Sequence, residues 1–440
     1  MKLQEFRKYN PLRDISYNGF APNHRAHIQD VCFDEVKRKN IQDVLLIDRG
    51  VFESPRSDSI LPMLRSLSVK ATHDCNLDCP WCYEKLNRDR GNITLDTIEQ
   101  IGKVFRGIGV GFVWHGGEPT LLGEEFYDKA MPILKNYLNT KRYVMQSNGT
   151  LLTDSFMETL SNNGIGVGIS FDGLQNDKTR KSTKTCLDLL KRNKDQFPGM
   201  IIVMTSKNIK NIIDEYEYFK SLGRFMQIHW LFNTGYNLGD QALDIDTAIE
   251  YYAKLIDHWI HDTSGTMNGC ITDHIAQVLG YRTQTCGNHH NCTGDFFCIN
   301  SDGSIYPCQR YWPEEFKSYG NIYDFTSYEE IYETDRFKEW KTITDDLRKS
   351  CIEKECRWVD ICASDCNHNN YMYNQSMTEV CPWNCKMKQG TYDHIFKILQ
   401  TIDHYKDHEK YNPSFLRILL DLDFISPMLV KEIRSGRAHT

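Results

Sequence analysis

No uncharged apolar run of membrane-spanning length occurs in the 440 residues. The strongest candidate, 415–430, is interrupted by Arg417, Asp421 and Asp423. The opening residues, Met1-Lys-Leu-Gln-Glu-Phe-Arg-Lys8, hold no apolar core of a secretory signal. A cytoplasmic protein without a membrane partner is therefore expected. Basic charge is also in short supply. The 52 Lys and Arg against 59 Asp and Glu leave a net charge of -7. That argues against a nucleic-acid partner, whose phosphates demand a basic footprint. Core material is not lacking. Hydrophobic residues make up 40% and charged residues 25%, an ordinary globular mix. The length allows two or three domains.

Cysteine is abundant, at 16 residues. Disulfides are rare in the cytoplasm, so metal binding or catalysis is the better use for them. Their distribution supports this. Three fall at Cys75, Cys79 and Cys82, and ten crowd between Cys286 and Cys385. Cys32, Cys186 and Cys270 stand alone and read as packed or surface thiols.

Between the two groups, strands and helices alternate. Apolar strand candidates lie at 67–72, 109–114, 142–146, 166–171, 200–205 and 225–232. Helix-period segments separate them at 95–105, 124–138, 155–160, 187–194 and 212–222, and another follows at 246–261. Repeated strand–helix units imply a parallel sheet with right-handed crossovers. The reactive end of such a sheet is the C-terminal end of its strands. The first cysteine group follows the first strand, as that rule requires. The runs at 107–111 and 164–168, rich in glycine, precede strands instead of joining a strand to a helix, so they are not phosphate loops. Residues 1–66 give weak signals, a helical segment at 29–39 and a strand at 44–47.

Cys75, Cys79 and Cys82 have C-x3-C-x2-C spacing, with Trp81 before the last cysteine and Tyr83 after it. Three thiolates on one loop can hold three irons of a [4Fe–4S] cluster and leave the fourth iron open. A closed zinc site wants four ligands, and His73 lies too close to Cys75 to complete one. The loop resembles that of the radical S-adenosylmethionine (SAM) enzymes. Later strand ends carry Trp114-His-Gly116-Gly117-Glu118-Pro119, Gln146-Ser-Asn-Gly149 and Ser170-Phe-Asp-Gly173, each similar to a motif of that family. The resemblance implies that Gly116, Gly117 and Glu118 serve the SAM methionine amine. It also implies that Ser170 and Arg180 face its methionine or ribose, that Trp81 packs near the adenine, and that Leu231 lies at the sixth strand end.

The second group resembles a SPASM domain, which holds two auxiliary [4Fe–4S] clusters. The resemblance gives Cys286, Cys292, Cys308 and Cys366 to the first. It gives Cys351, Cys356, Cys362 and one of Cys381 or Cys385 to the second, leaving Cys298 spare. Here Cys351-x4-Cys356 departs from the family's x2 spacing. Thiolate-only sites also suit zinc, so paired zinc ribbons are the alternative.

The implied fold is α/β: a partial (β/α)6 radical SAM barrel, then a SPASM domain with two auxiliary iron–sulfur clusters. The expected divisions are an N-terminal extension at 1–66, a leader-peptide grip or simple packing. The barrel follows at 67–262, the auxiliary-cluster domain at 263–390, and a helical tail at 391–440. The implied cofactors are three [4Fe–4S] clusters and SAM. The partners are a ribosomally made precursor peptide and a flavodoxin or ferredoxin-type electron donor. A 5′-deoxyadenosyl radical would take hydrogen from the peptide, and auxiliary clusters suit a net oxidation.

Three functional readings follow. The first is a thioether or carbon–carbon crosslink in a peptide. The second is formylglycine formation of the anaerobic sulfatase-maturing kind. The third is a non-catalytic iron–sulfur or zinc protein. One residue favours the first over the second. In the sulfatase maturases the cysteine matching Cys308 is followed by an Asp that acts as base. Here Gln309 stands in that place, and a side-chain amide is no useful base. Asp302 is a possible substitute but lies on the turn at Gly303. No catalytic residue is assigned by these patterns.

Overall fold

The structure, a computed structural model, describes residues 64–87, 91–193, 199–232, 241–278, 292–311, 316–359, 362, 366–401, 410–415 and 418. The segments expected at 29–39 and 44–47 lie outside these residues, as do Cys32, Cys286, the side chain of Cys292 and most of 414–422.

Six parallel strands form the frame: β1 (Ser66–Thr72), β2 (Gly111–Gly116), β3 (Arg142–Ser147), β4 (Ile165–Ser170), β5 (Gly199–Met204) and β6 (Phe225–Trp230). They lie in sequence order across the sheet, each beside the next. This is the expected (β/α)6 arrangement, and the strands match the expected segments to within two residues at each end.

Alternation explains the two faces. In β2, Phe112, Trp114 and Gly116 are buried while Gly111, Val113 and His115 are half-exposed. In β5, Met200, Ile202 and Met204 are buried and Ile201 and Val203 are not. The buried face packs on the crossover helices Leu95–Val104, Glu124–Tyr137, Asp154–Asn162, Thr183–Arg192 and Ile212–Ser221. Trp114 and Tyr127 meet edge to face at 5.3 Å there. Such pairs add about 0.5–1.5 kcal/mol to the area they bury. Thr94 and Thr153 cap two of these helices, accepting from Thr97 N and Phe156 N, which satisfies amides left over at a helix start.

Toward the C-terminal strand ends the opposite face carries Lys70, His115, Gln146, Ser170, Val203 and His229, and nearer the strand starts it carries the apolar Val113 and Ile201. Lys70 sits opposite His115 in the register, and Val203 opposite His229.

The sheet does not stop at β1. Strand β7 (Phe296–Ile299) pairs in parallel with β1, and β8 (Ser304–Tyr306) and β9 (Gly320–Asn321) continue antiparallel. The division expected at 262/263 therefore leaves the sheet continuous: nine strands among the described residues. Helices Asp335–Glu353, Asn367–Asn374 and Pro382–Thr401 complete this part. The last runs across the division expected at 390/391. It packs on helices Ile245–Ile260 and Gly269–Val278. Among the described residues no helix is long and apolar enough to cross a membrane.

Candidate functional site

The cysteine loop leaves the C-terminal end of β1 and ends in the short 3-10 turn Tyr83–Asn87. Beneath it lies a buried ion pair, Lys70 Nζ to Glu84 Oε1 at 2.5 Å, with His73 Nδ1 3.1 Å from Glu84 Oε2. Burial opposes ionisation of Glu84, but Lys70 and His73 outweigh it and lower its pKa.

The neighbouring strand end clamps the loop. Gly117 N donates to Thr72 O at 2.8 Å, and Glu118 N donates to Asp74 O at 2.7 Å. A Cβ at Gly116 would stand 2.1 Å from Thr72 O, and one at Gly117 would stand 2.0 Å from Asp74 O. The two glycines thus admit the backbone of the cysteine loop. Glu118 is 1% exposed. Its Oε1 accepts from Thr120 N, Thr120 Oγ1 and Ser147 Oγ, and its Oε2 from Asn148 N at 2.7 Å. The carboxylate fastens the end of β3 to the end of β2. Burial raises its pKa against these four donors.

Donors are aimed at the loop's sulfurs. Leu77 N lies 3.4 Å from Cys75 Sγ, and Asn148 Nδ2 lies 3.7 Å from the same sulfur. Arg180 Nη1 lies 3.7 Å from Cys79 Sγ. Burial pushes all three thiols up, Cys82 to about 11. Ionised sulfurs here need a cationic partner, and the donors around them suit thiolates. The site therefore fits a cluster held by Cys75, Cys79 and Cys82. Among the described residues, no three His, Cys, Asp or Glu side chains close on a single-ion site.

Arg180 is oriented by Asp172, whose Oδ2 lies 2.8 Å from its Nε. Asp172 also accepts from Thr179 Oγ1 at 2.7 Å and Val203 N at 3.0 Å. Gln146 Nε2 donates to Ser170 Oγ at 2.7 Å. Trp81 and Leu231 are half-buried. Ser170, Arg180 and the cysteine loop thus gather at one end of the sheet. The sequence motifs contain Asn148 and Asp172 but gave neither a role. Both act through hydrogen bonds to segments distant in sequence. Two imidazoles share the polar face. Burial holds His115 near 4, and Lys70 adds to the effect. His229 is exposed on that face, and its surroundings, with Arg310 and His115, lower its pKa. His115 is therefore neutral at neutral pH.

Segments of the first auxiliary set converge. Arg310 Nη1 donates to Asn369 Oδ1 at 2.7 Å, tying the residues after Cys308 to those after Cys366. Asn367 Nδ2 lies 3.4 Å from Thr293 Oγ1, next to Cys292. Tyr83 feels the charges of both Cys82 and Cys308, so this set borders the cysteine loop. Asp302 is exposed and shapes the turn, accepting from Ser304 N at 2.9 Å. Cys298 is fully buried opposite Ser68 in the sheet, and burial pushes it to about 12.

The second set shares one pocket. Cys351, Cys356, Cys362 and Cys385 line it, with Trp358, Val359, Val380, Lys388, Gln389 and Tyr392. Cys381 is absent from that lining and is fully buried. The x4 spacing has a structural cause. Helix Asp335–Glu353 ends in a Schellman motif, with Glu355 left-handed at φ 51. Glu355 N donates to Ile352 O at 2.9 Å and Cys356 N to Cys351 O at 3.2 Å. That motif brings its third-from-last helical residue beside the second residue past the cap. Here those two are Cys351 and Cys356, so the x4 spacing sets them side by side at the cap.

Comparison with known proteins places this geometry. The family model of the radical SAM superfamily matches residues 69–219. A cysteine-type anaerobic sulfatase-maturating enzyme of Clostridium novyi (strain NT) is 30% identical over 341 residues, 70% of this chain and 89% of its own. One of the same name from Clostridium perfringens (strain ATCC 13124) is 28% identical over 369 residues, 76% of this chain and 97% of its own. A solved structure, native anSMEcpe with bound AdoMet and Cp18Cys peptide, superposes with a TM-score of 0.65. It is 26% identical and covers 76% of this chain and 98% of that one.

Proposed function

The chain belongs to the radical SAM superfamily, and on that premise we propose that it oxidises a cysteine side chain in a peptide or protein substrate. The supporting observation is the pairing of two thiol sites. A donor-capped cysteine loop sits at the strand ends, and a four-cysteine pocket lies among the C-terminal helices, between Asp335–Glu353 and Pro382–Thr401. In this reading Cys75, Cys79 and Cys82 hold the first [4Fe–4S] cluster. Cys286, Cys292, Cys308 and Cys366 hold the second, and Cys351, Cys356, Cys362 and Cys385 hold the third. When bound, the cluster and SAM together supply a 5′-deoxyadenosyl radical that abstracts hydrogen from carbon.

The protein's part is binding and orientation. Arg180, fixed by Asp172, presents a charge beside Cys79. Gln146 and Ser170 offer hydrogen-bonding groups on the polar sheet face. Glu118 is buried and its carboxylate already accepts from four donors, so in this reading its part toward SAM is indirect, through the strand ends it joins. A flavodoxin or ferredoxin-type protein would supply the electron.

The named relatives favour formylglycine formation over the crosslink expected first. One observation keeps the crosslink as the second reading. Gln309 follows Cys308, and three buried carboxylates around the cysteine loop are engaged: Glu84 by Lys70, Asp172 by Arg180, Glu118 by four donors. Mass spectrometry of a cysteine-containing sulfatase-type peptide, after incubation with SAM and reductant, separates the two. Loss of the sulfur with gain of an aldehyde supports the first reading. Loss of two hydrogens with the sulfur retained supports the second. An unaltered peptide beside active SAM cleavage defeats both for that substrate.

A further inference from the structure

Gln389 lies on helix Pro382–Thr401, one turn beyond Cys385, where it lines the four-cysteine pocket. Its Nε2 stands 3.3 Å from Cys385 Sγ and 3.9 Å from Cys356 Sγ. A primary amide nitrogen carries two N–H groups, so one side chain serves both sulfurs. The two cysteines come from different segments, one at a helix cap and the other on the facing helix. Gln389 bridges them. Its neighbours in the lining include Trp358, Val359, Val380 and Tyr392.

We propose that Gln389 sets the reduction potential of the auxiliary cluster held by Cys351, Cys356, Cys362 and Cys385. The inference rests on the reading that this pocket holds a cluster. The physics is that of any site taking up an electron. Reduction adds a negative charge, which spreads onto the thiolate sulfurs. Donors aimed at those sulfurs stabilise the reduced form more than the oxidised form, so they raise the potential. Gln389 is an exposed residue whose amide points back at the pocket. Its substitution changes the field at two ligands without removing a ligand. In the proposed oxidation, an electron leaves the substrate and must be accepted. A higher potential at this site makes that transfer more favourable. Gln389 is thus a positioning residue for charge, with no contact to the reacting carbon.

The experiment is a redox titration of the anaerobically reconstituted full-length protein, followed by EPR, with iron counted in each sample. Gln389→Leu removes both donors and should lower the potential of one cluster. Gln389→Glu keeps the shape, places a carboxylate by the sulfurs and should lower it further. Gln389→Lys restores a charged donor and should bring the potential back to the wild-type value or above. The expected order is therefore Lys and wild type, then Leu, then Glu, at equal iron content. An unchanged potential in Gln389→Leu and Gln389→Glu, with iron intact, overturns the inference alone. Loss of iron in all three variants also overturns it, since Gln389 would then hold the pocket together instead of tuning it. Cys385→Ala is the separate control. If it retains all the wild-type iron, the pocket holds no cluster through Cys385, and the underlying reading fails first.

Discussion

Gly117→Ala tests how the cysteine loop is held. The new Cβ would stand 2.0 Å from Asp74 O, 2.5 Å from its carbonyl carbon and 2.7 Å from His73 O. These are backbone atoms with no flexible end to swing aside. Ordinary contact begins near 3.4 Å, so the loop must retreat by more than about 1 Å. That retreat strains or breaks the Gly117–Thr72 and Glu118–Asp74 hydrogen bonds. Each contributes about 0.5–1.5 kcal/mol net, and about 1–3 kcal/mol is lost when a buried partner goes unsatisfied. The expected loss is therefore about 2–4 kcal/mol, concentrated one residue before Cys75. Iron and sulfide analysis after anaerobic reconstitution is the assay. The variant should bind one [4Fe–4S] cluster fewer than wild type while keeping both auxiliary clusters. Full iron content and undiminished SAM cleavage in Gly117→Ala would refute the clamp.

Other expectations follow from individual contacts. Asp172→Asn leaves Arg180 nearly buried without its counter-charge. It should cost about 3–5 kcal/mol in thermal or denaturant unfolding and weaken SAM binding; unaltered values for both would contradict the assignment. Glu355→Pro removes the N–H that Glu355 gives to Ile352 O and forbids the left-handed cap. It should empty the four-cysteine pocket, whereas Glu355→Gly should keep the iron and add about 1 kcal/mol of stability. Burial raises the Glu215 carboxyl to about 7 despite the amide of Leu174, so the folded state prefers it protonated. Its contribution is complete below its unfolded pKa and is lost as pH rises through about 7. Glu215→Gln should remove that part of the stability decline between about pH 5 and 8, read as the melting temperature against pH. Parallel curves for the two proteins would contradict it.

Much of the barrel was legible because each strand alternates or runs apolar and each crossover helix shows its own period. Val69, Phe112, Met145, Ile169, Ile202 and Ile228 all fall on buried faces. Strand β7 was not legible. Phe296–Ile299 is a four-residue apolar run, too short to distinguish strand from helix, and its partner is β1, more than two hundred residues earlier. Helix Asp335–Glu353 was also missed. Only Phe337, Trp340 and Leu347 of its 19 residues are buried, so its apolar stripe is thin.

The cysteine spacings identified both thiol groups, and the pocket now favours Cys385 over Cys381. The motif glycines were visible, but the backbone they admit was not. What Gly116 and Gly117 admit is the carbonyl of another loop, and no local pattern encodes that partner. Glu118 was read as a ligand group because it is a carboxylate in a motif. The donors it meets, Ser147 and Asn148, come from the next strand end, and only the folded chain brings them together.

The most direct measurement follows one hydrogen. A cysteine-containing peptide deuterated at the cysteine β-carbon is incubated with reconstituted protein, SAM and reductant, and the 5′-deoxyadenosine is analysed by mass spectrometry. Oxidation at that carbon predicts deuterium in the 5′-deoxyadenosine, rising with modified peptide. Modified peptide alongside 5′-deoxyadenosine without deuterium would contradict hydrogen abstraction from the cysteine side chain.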